Sequence, residues 1–229
     1  MADWLVKILQ TASGDAEFVL DGGQPGQALE ATQGDLVSWN NQTNDRHQLW
    51  ETDENYNPLA QSGLPGLIKP GLPSDSYDVA QPLWGPSSWT VYYYCSLHPE
   101  NVLERGVIEA TALPIAVTIR DAGGGWSLST NTMTGSATPL NVAPGQTLYW
   151  SNKSSSLTHQ PWQADSNYKL LPQSNLSDAL KPNSTSALYT TNPPSGSTPA
   201  QGWTIYYGCK QHPTNPNEQG QIAVQGQGD

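Results

Sequence analysis

The feature that most limits what this chain can become is a stretch it contains twice. Trp89 to Gly106 reads WTVYYYCSLHPENVLERG, and Trp203 to Gly220 reads WTIYYGCKQHPTNPNEQG. Each copy supplies a Cys, a His three residues later, a Pro directly after that His, and a Glu two residues before a Gly. Cys95 and Cys209 are the only cysteines, and His98 and His212 are half of the four histidines. The other two, His47 and His159, sit upstream in matching frames, WNNQTNDRHQLW from Trp39 and WSNKSSSLTHQPW from Trp150. Equivalent positions lie 111 residues apart at Trp39/Trp150, 112 at His47/His159, and 114 at Cys95/Cys209, His98/His212 and Glu104/Glu218. One architecture is written twice, and small loop insertions account for the drift.

One thiolate and two imidazoles, with two of the three on one short loop, make the trigonal set that holds copper in blue-copper centres. A soft thiolate stabilises Cu(I), imidazole tolerates both oxidation states, and a fixed frame limits rearrangement when an electron moves. Two such sets imply two copper ions, one per repeat. A single disulfide is the plainer reading of two cysteines in a secreted chain; against it, each Cys has its own His partner in its own repeat.

YYYCSLHP, together with VSWNN leading to His47, resembles the penultimate strand, ligand loop and upstream ligand strand of the cupredoxin family, with plastocyanin nearest in style. The resemblance covers nearly the whole chain, as domains 1–112 and 113–229. It implies an all-β protein of two tandem Greek-key β-sandwiches, each with copper near one end. Cupredoxins usually place an axial Met two residues before the Gly that opens the last strand. This chain has only Met1 and Met133, and counting back from Gly106 and Gly220 gives Glu104 and Glu218. The expected ligands are therefore His47, Cys95, His98 and Glu104 in the first domain, and His159, Cys209, His212 and Glu218 in the second. A carboxylate is a harder donor to Cu(II) than a thioether, so it should lower the potential and favour a red or green, more tetragonal site. Nitrosocyanin resembles this in ligand type, although its Glu comes from a different part of the chain. The alternative leaves Glu104 and Glu218 as solvated loop residues, with copper three-coordinate or capped by a carbonyl.

Nine Trp and ten Tyr stand in for the scarce Phe, which suits sandwiches whose aromatics span the layer between sheets. Nineteen Pro and 21 Gly speak against long helices. LVKILQ and AEFVL read as strands, as do the segments around the turns at Gly34 and Gly145. Alternation puts Val37 and Trp39 on one face of DLVSW, making Trp39 and its counterpart Trp150 core residues. The same parity places Trp89, Val91, Tyr93 and Cys95 together, and Trp203, Ile205, Tyr207 and Cys209. Asn41 and Asn152 are expected to tie the upstream His loop to the Cys loop, unless they are simple turn residues. Trp50 and Trp162 either shield the metal from water or serve structure alone. The Pro/Gly/Ser-rich middles, 57–88 and 169–202, leave room for one short helical turn each. TALPIAVTIR makes the connection between the domains short.

Residues 1–112 hold four Lys+Arg against fifteen Asp+Glu, whereas residues 113–229 hold five of each. The acidic first half excludes nucleic acid as a partner and suits docking of a basic redox protein, or simply a soluble surface. No run approaches the ~20 apolar residues of a membrane span. MADWLVKILQ lacks the marks of a signal peptide; the low Lys content and polar loops nonetheless suggest a periplasmic or extracellular protein whose leader an initiator Met has replaced.

All four histidines are used by the two mononuclear sites, so none remains for the type 2 or trinuclear centres of a conventional nitrite reductase or multicopper oxidase. Electron transfer is the leading expectation, and an enzyme the less favoured one. Copper storage, delivery or sensing is an alternative, as is small-molecule redox chemistry at an open, red-copper-type site.

Overall fold

The computed structural model describes residues 1–82, 86–120, 126–128, 139–194 and 201–226. They gather in two compact units, Met1–Gln81 with Ser88–Ala112, and Leu113–Asp229 with Pro82–Ser87. Unit 1 contains β1 (Asp3–Gln10), β2 (Ala16–Leu20), β3 (Leu29–Thr32), β4 (Leu36–Asn41), β5 (His47–Thr52), β6 (Leu67–Ile68), β7 (Tyr77–Asp78), β8 (Ser88–Cys95) and β9 (Arg105–Thr111). Unit 2 contains β10 (Ile115–Ile119), β11 (Trp126–Leu128), β12 (Leu140–Val142), β13 (Thr147–Asn152), β14 (Pro161–Ala164), β15 (Tyr189–Thr190), β16 (Trp203–Cys209) and β17 (Gln219–Val224).

The strand orders are β2-β1-β4-β7 and β3-β9-β8-β5-β6 in unit 1, and β11-β10-β13-β15 and β12-β17-β16-β14 in unit 2. They match position for position, save that β6 has only an isolated bridge, His159 to Leu180, as its counterpart. In both units the first strand runs parallel to the fourth, β1 with β4 and β10 with β13. The third runs parallel to the last, β3 with β9 and β12 with β17. Two sheets joined by such crossings form a Greek-key sandwich.

The alternation read from the sequence is what each sandwich buries. Trp39 and Trp150 are 0% exposed at the centre of their cores. At 150–250 Å² per aromatic side chain and ~25 cal/mol per Å², each contributes at most roughly 4–6 kcal/mol. Trp39 meets Tyr93 edge-on at 5.4 Å, and Trp150 meets Tyr207 at 6.0 Å. The Gly34 and Gly145 turns have φ of 87° and 75°, a conformation that costs only glycine little. Beside them, Asp35 accepts from the Ala2 amide and the Trp4 indole, and Gln146 donates to the Leu113 carbonyl, so a polar side chain moors the first strand of each unit.

In the first of the two Pro/Gly/Ser-rich middles, the described residues hold no helical turn. They hold the two-residue strands β6 and β7, which cap sheet edges. The helical turns recorded near the sites lie in the ligand loops instead, at Val102–Glu104 and Pro216–Glu218.

Candidate metal centres

Three elements deliver four donors in each unit. β5 opens with His47 and β8 closes with Cys95, held side by side by the antiparallel register that pairs Leu49 with Cys95. In unit 2 the register pairs Pro161 with Cys209, and His159 comes two residues ahead of Pro161. The loop after the Cys then returns through consecutive tight turns, bringing back the second His and the Glu.

The structure brings all eight expected residues into two groups, His47/Cys95/His98/Glu104 and His159/Cys209/His212/Glu218, with donor atoms in each within 4.8 Å of one another. Cys95 Sγ lies 3.7 Å from His47 Nδ1 and 3.5 Å from His98 Nδ1. The corresponding distances in unit 2 are 3.8 and 3.6 Å. An ion bonded at ~2.0 Å to nitrogen and ~2.3 Å to sulfur would hold such atoms about 3.5–3.7 Å apart at angles between tetrahedral and trigonal. The sulfur–nitrogen spacing of each group therefore fits a metal of this class. Met133 lies outside the described residues.

Both glutamates are inside the group, not solvated. Glu104 is 1% exposed; its Oε2 lies 2.7 Å from His47 Nδ1, and its Oε1 3.0 Å from His98 Nδ1. Glu218 turns a single oxygen, Oε2, to His159 Nδ1 at 3.1 Å and His212 Nδ1 at 3.0 Å. Burial opposes ionisation of Glu104, but hydrogen bonds from His47, Cys95 and His98 outweigh it and hold the carboxyl below its usual range. The same balance lowers Glu218.

The thiols behave in the opposite sense. Burial pushes Cys95 up to about 11, only partly relieved by the Gln48 and Leu97 amides and reinforced by the neighbouring Glu104. Cys209 is likewise pushed up to about 11, with the Gln160 N–H 3.5 Å from its sulfur. Each metal-free site therefore keeps a proton on sulfur until the pH approaches that value, and a metal must expel it. Apparent Cu(I) affinity should rise about tenfold per pH unit between about pH 7 and 9. Competition against a Cu(I) chelator measures this, and a flat profile would count against thiolate binding.

The upstream His is oriented by a residue that the sequence reading missed. Thr43 Oγ1 donates to Asn41 Oδ1 at 2.8 Å and lies 2.8 Å from His47 Nε2. With Thr43 donating to Asn41, His47 Nε2 donates to Thr43, and Nδ1, which faces Cys95 and Glu104, is the nitrogen that a metal would take. Thr43→Val should lower copper affinity at the first site roughly 10–100-fold. A metal titration resolving the two sites checks it, the second serving as internal control.

One sequence expectation needs correction, and one open alternative is decided. Asn41 and Asn152 do tie loops, but not the upstream His loop to the Cys loop. Asn41 Nδ2 donates to the Asp45 and Ile68 carbonyls, and Asn152 Nδ2 to those of Leu157 and Leu180. They brace the His loop from below against β6 or its counterpart. Nor do Trp50 and Trp162 shield the metal. Strand parity sends them to the opposite face from His47 and His159, where their indoles donate to the Leu59 and Leu171 carbonyls at 2.8 and 2.7 Å.

The strand order and the Cys/His/His frame at one end of each sandwich decide the fold. The chain is a tandem of two cupredoxin-like units. No family model matches it, and no curated protein matches it. Solved structures similar to it include a copper nitrite reductase from Nitrosomonas europaea, 12% identical with a TM-score of 0.33, covering 100% of this chain and 95% of that one. A purple cupredoxin from Nitrosopumilus maritimus is 17% identical with a TM-score of 0.35, covering 48% of this chain and 98% of that one. An amicyanin variant is 20% identical with a TM-score of 0.31, covering 46% of this chain and 79% of that one. The cupredoxin-like assignment stands on topology and donors, not on these scores. Copper is the metal that such a fold and donor set suit.

Proposed function

We propose that the protein is a two-copper electron carrier, with Glu104 and Glu218 as fourth ligands in its Cys/His/His sites. Copper bound there supplies a one-electron couple. The observation that carries this reading is the gradient of exposure across each group. Cys95, His47 and Glu104 are buried, whereas the His98 side chain is 35% exposed; in the second site only His212, at 32%, reaches solvent. Burial of three donors keeps water out and limits solvent reorganisation. One imidazole edge per site remains as the route for an electron.

The two edges are not equivalent. Around His98 the exposed residues are Leu97, Pro99, Glu100, Val102 and Leu103, where the second loop has Gln211, Pro213, Thr214, Pro216 and Asn217. An apolar rim on the acidic unit suits a basic redox protein docking at His98, steered by the charge of residues 1–112. Function in the periplasm or outside the cell is part of this proposal.

The test is copper loading of the purified protein. Two coppers per chain, a sulfur-to-copper charge-transfer band and reversible voltammetry support it. Fast copper exchange with no reversible wave overturns it in favour of copper storage or delivery. Azide or nitric oxide binding to the oxidised form would reveal an open coordination position and shift the reading to a small-molecule redox enzyme.

A further inference from the structure

The ligand loop has a period that the metal-binding residues alone do not complete. His98 N donates to Cys95 O at 3.2 Å, Asn101 N to His98 O at 3.0 Å, and Glu104 N to Asn101 O at 3.1 Å. Unit 2 repeats this as His212 to Cys209, Asn215 to His212 and Glu218 to Asn215, at 3.2, 3.1 and 3.0 Å. Every third residue is a corner of this staircase. Three of the four corners are donors, and the remaining one is asparagine in both copies.

That asparagine makes the same contacts twice. Its Oδ1 accepts the amide two residues on, Leu103 N or Asn217 N, each at 3.1 Å, capping the short 3-10 turn. With Oδ1 so engaged, the amide cannot flip, and Nδ2 must face the glutamate. Asn101 Nδ2 donates to Glu104 Oε1 at 2.9 Å, and Asn215 Nδ2 to Glu218 Oε1 at 2.8 Å. Asn101 also donates to the Ala16 carbonyl at 2.7 Å, fixing the loop to β2. In each site the clamped oxygen is Oε1, and Oε2 is the oxygen closest to the upstream imidazole, His47 Nδ1 or His159 Nδ1.

We propose that Asn101 and Asn215 are positioning residues that hold the glutamate as a one-oxygen donor, the amide N–H occupying the oxygen that would otherwise join the metal. This rests on the reading that Glu104 and Glu218 are ligands. A carboxylate free to turn would offer both oxygens and add a fifth donor, weakening the bond to sulfur. Clamped, it supplies one oxygen from a pre-set direction, so coordination number is decided by a neutral side chain that touches no metal.

Aspartate separates this role from capping. It caps a helical turn as well as asparagine does, but puts an oxygen where the N–H donor stood, against Glu218 Oε1. The experiment uses the full chain with Cys95→Ser, which leaves Cys209 as the only thiolate, so that the charge-transfer bands report site 2 alone. Copper(II) is added to this parent and to its Asn215→Asp, Asn215→Ser and Glu218→Ala derivatives, and absorption and paramagnetic resonance spectra are recorded. Both asparagine variants are expected to change the ratio of the sulfur-to-copper bands and the copper hyperfine splitting, and to bind Cu(II) roughly 10–100-fold more weakly. A pure capping role predicts an Asn215→Asp spectrum superimposable on the parent while Glu218→Ala differs, which overturns the proposal and leaves ligation standing. If Glu218→Ala itself matches the parent, the ligation reading fails and the proposal with it. Asn101→Asp in a Cys209→Ser chain asks the same question of the first site and does not depend on unit 2 tolerating its substitutions.

Discussion

Gly106→Ala should destabilise the first unit by on the order of 3 kcal/mol, lower its melting temperature by roughly 10–20 °C, and leave the protein with one functional copper site. The antiparallel register sets Gly106 opposite Tyr93, and the phenol ring lies across the space where a side chain would begin. A Cβ at Gly106 would overlap Tyr93 Cζ, Oη and Cε1. The ring has nowhere to go: it stacks on Phe18 at 5.6 Å, meets Trp39 edge-on, and its hydroxyl accepts the Trp39 indole at 3.3 Å. Relief therefore requires β8 and β9 to part. Both strands feed the site, since Cys95 ends one and Glu104 immediately precedes the other. At Gly220 the clash is of the same kind, with Tyr207 Cζ and Oη each 2.5 Å from the added carbon. Differential scanning calorimetry with a copper count on each variant checks the expectation. A Gly106→Ala protein that melts within about 3 °C of the parent would show that the ring can yield.

The sequence made this glycine visible only as a spacing marker, two residues beyond the glutamate; its reason for being there is a ring from the neighbouring strand. The same division runs through the molecule. Period-two alternation put Trp39, Val91, Tyr93 and Cys95 on the buried face, because burying one face of a sheet leaves a regular trace along the strand. Duplication made the donors legible, since two copies rarely keep Cys, His, His and Glu together without a shared constraint. Single hydrogen bonds leave no such trace. Asn41 reaches Ile68, 27 residues away, through a two-residue strand too short to have a pattern. Thr43 gave no signal, because the second copy has a serine at that position whose hydroxyl instead accepts the Leu157 amide. Asn101 and Asn215 were available to a closer comparison of HPENVLE with HPTNPNE, where Asn stands three before Glu in both. The parity that fixed Cys95 would also have turned Trp50 away from the metal, had it been counted from His47.

Removing the carboxylate should have the larger effect on redox chemistry. Glu104→Ala is expected to raise the reduction potential of the first site by roughly 0.1–0.2 V, because the carboxylate's negative charge favours Cu(II) over Cu(I). A unit charge about 4 Å away at an effective dielectric of ~20 is worth about 4 kcal/mol, and 59 mV corresponds to each tenfold in a one-electron equilibrium. Water entering the vacated space offsets part of this, while direct bonding adds to it. Glu104→Gln keeps the shape, the burial and one carbonyl oxygen but removes the charge, so it should give most of the shift with less loss of stability. Voltammetry in a Cys209→Ser chain reads the first site alone, and Glu218→Ala or Glu218→Gln in a Cys95→Ser chain reads the second. The shifts should share a sign and differ in size. Glu104 spreads its oxygens over two imidazoles, whereas Glu218 turns one oxygen to both. Potential and spectrum unchanged in all four variants would make the carboxylates hydrogen-bond partners of the histidines and nothing more. In that event each copper would be held by one sulfur and two nitrogens, at a potential above that expected of a carboxylate-bound site.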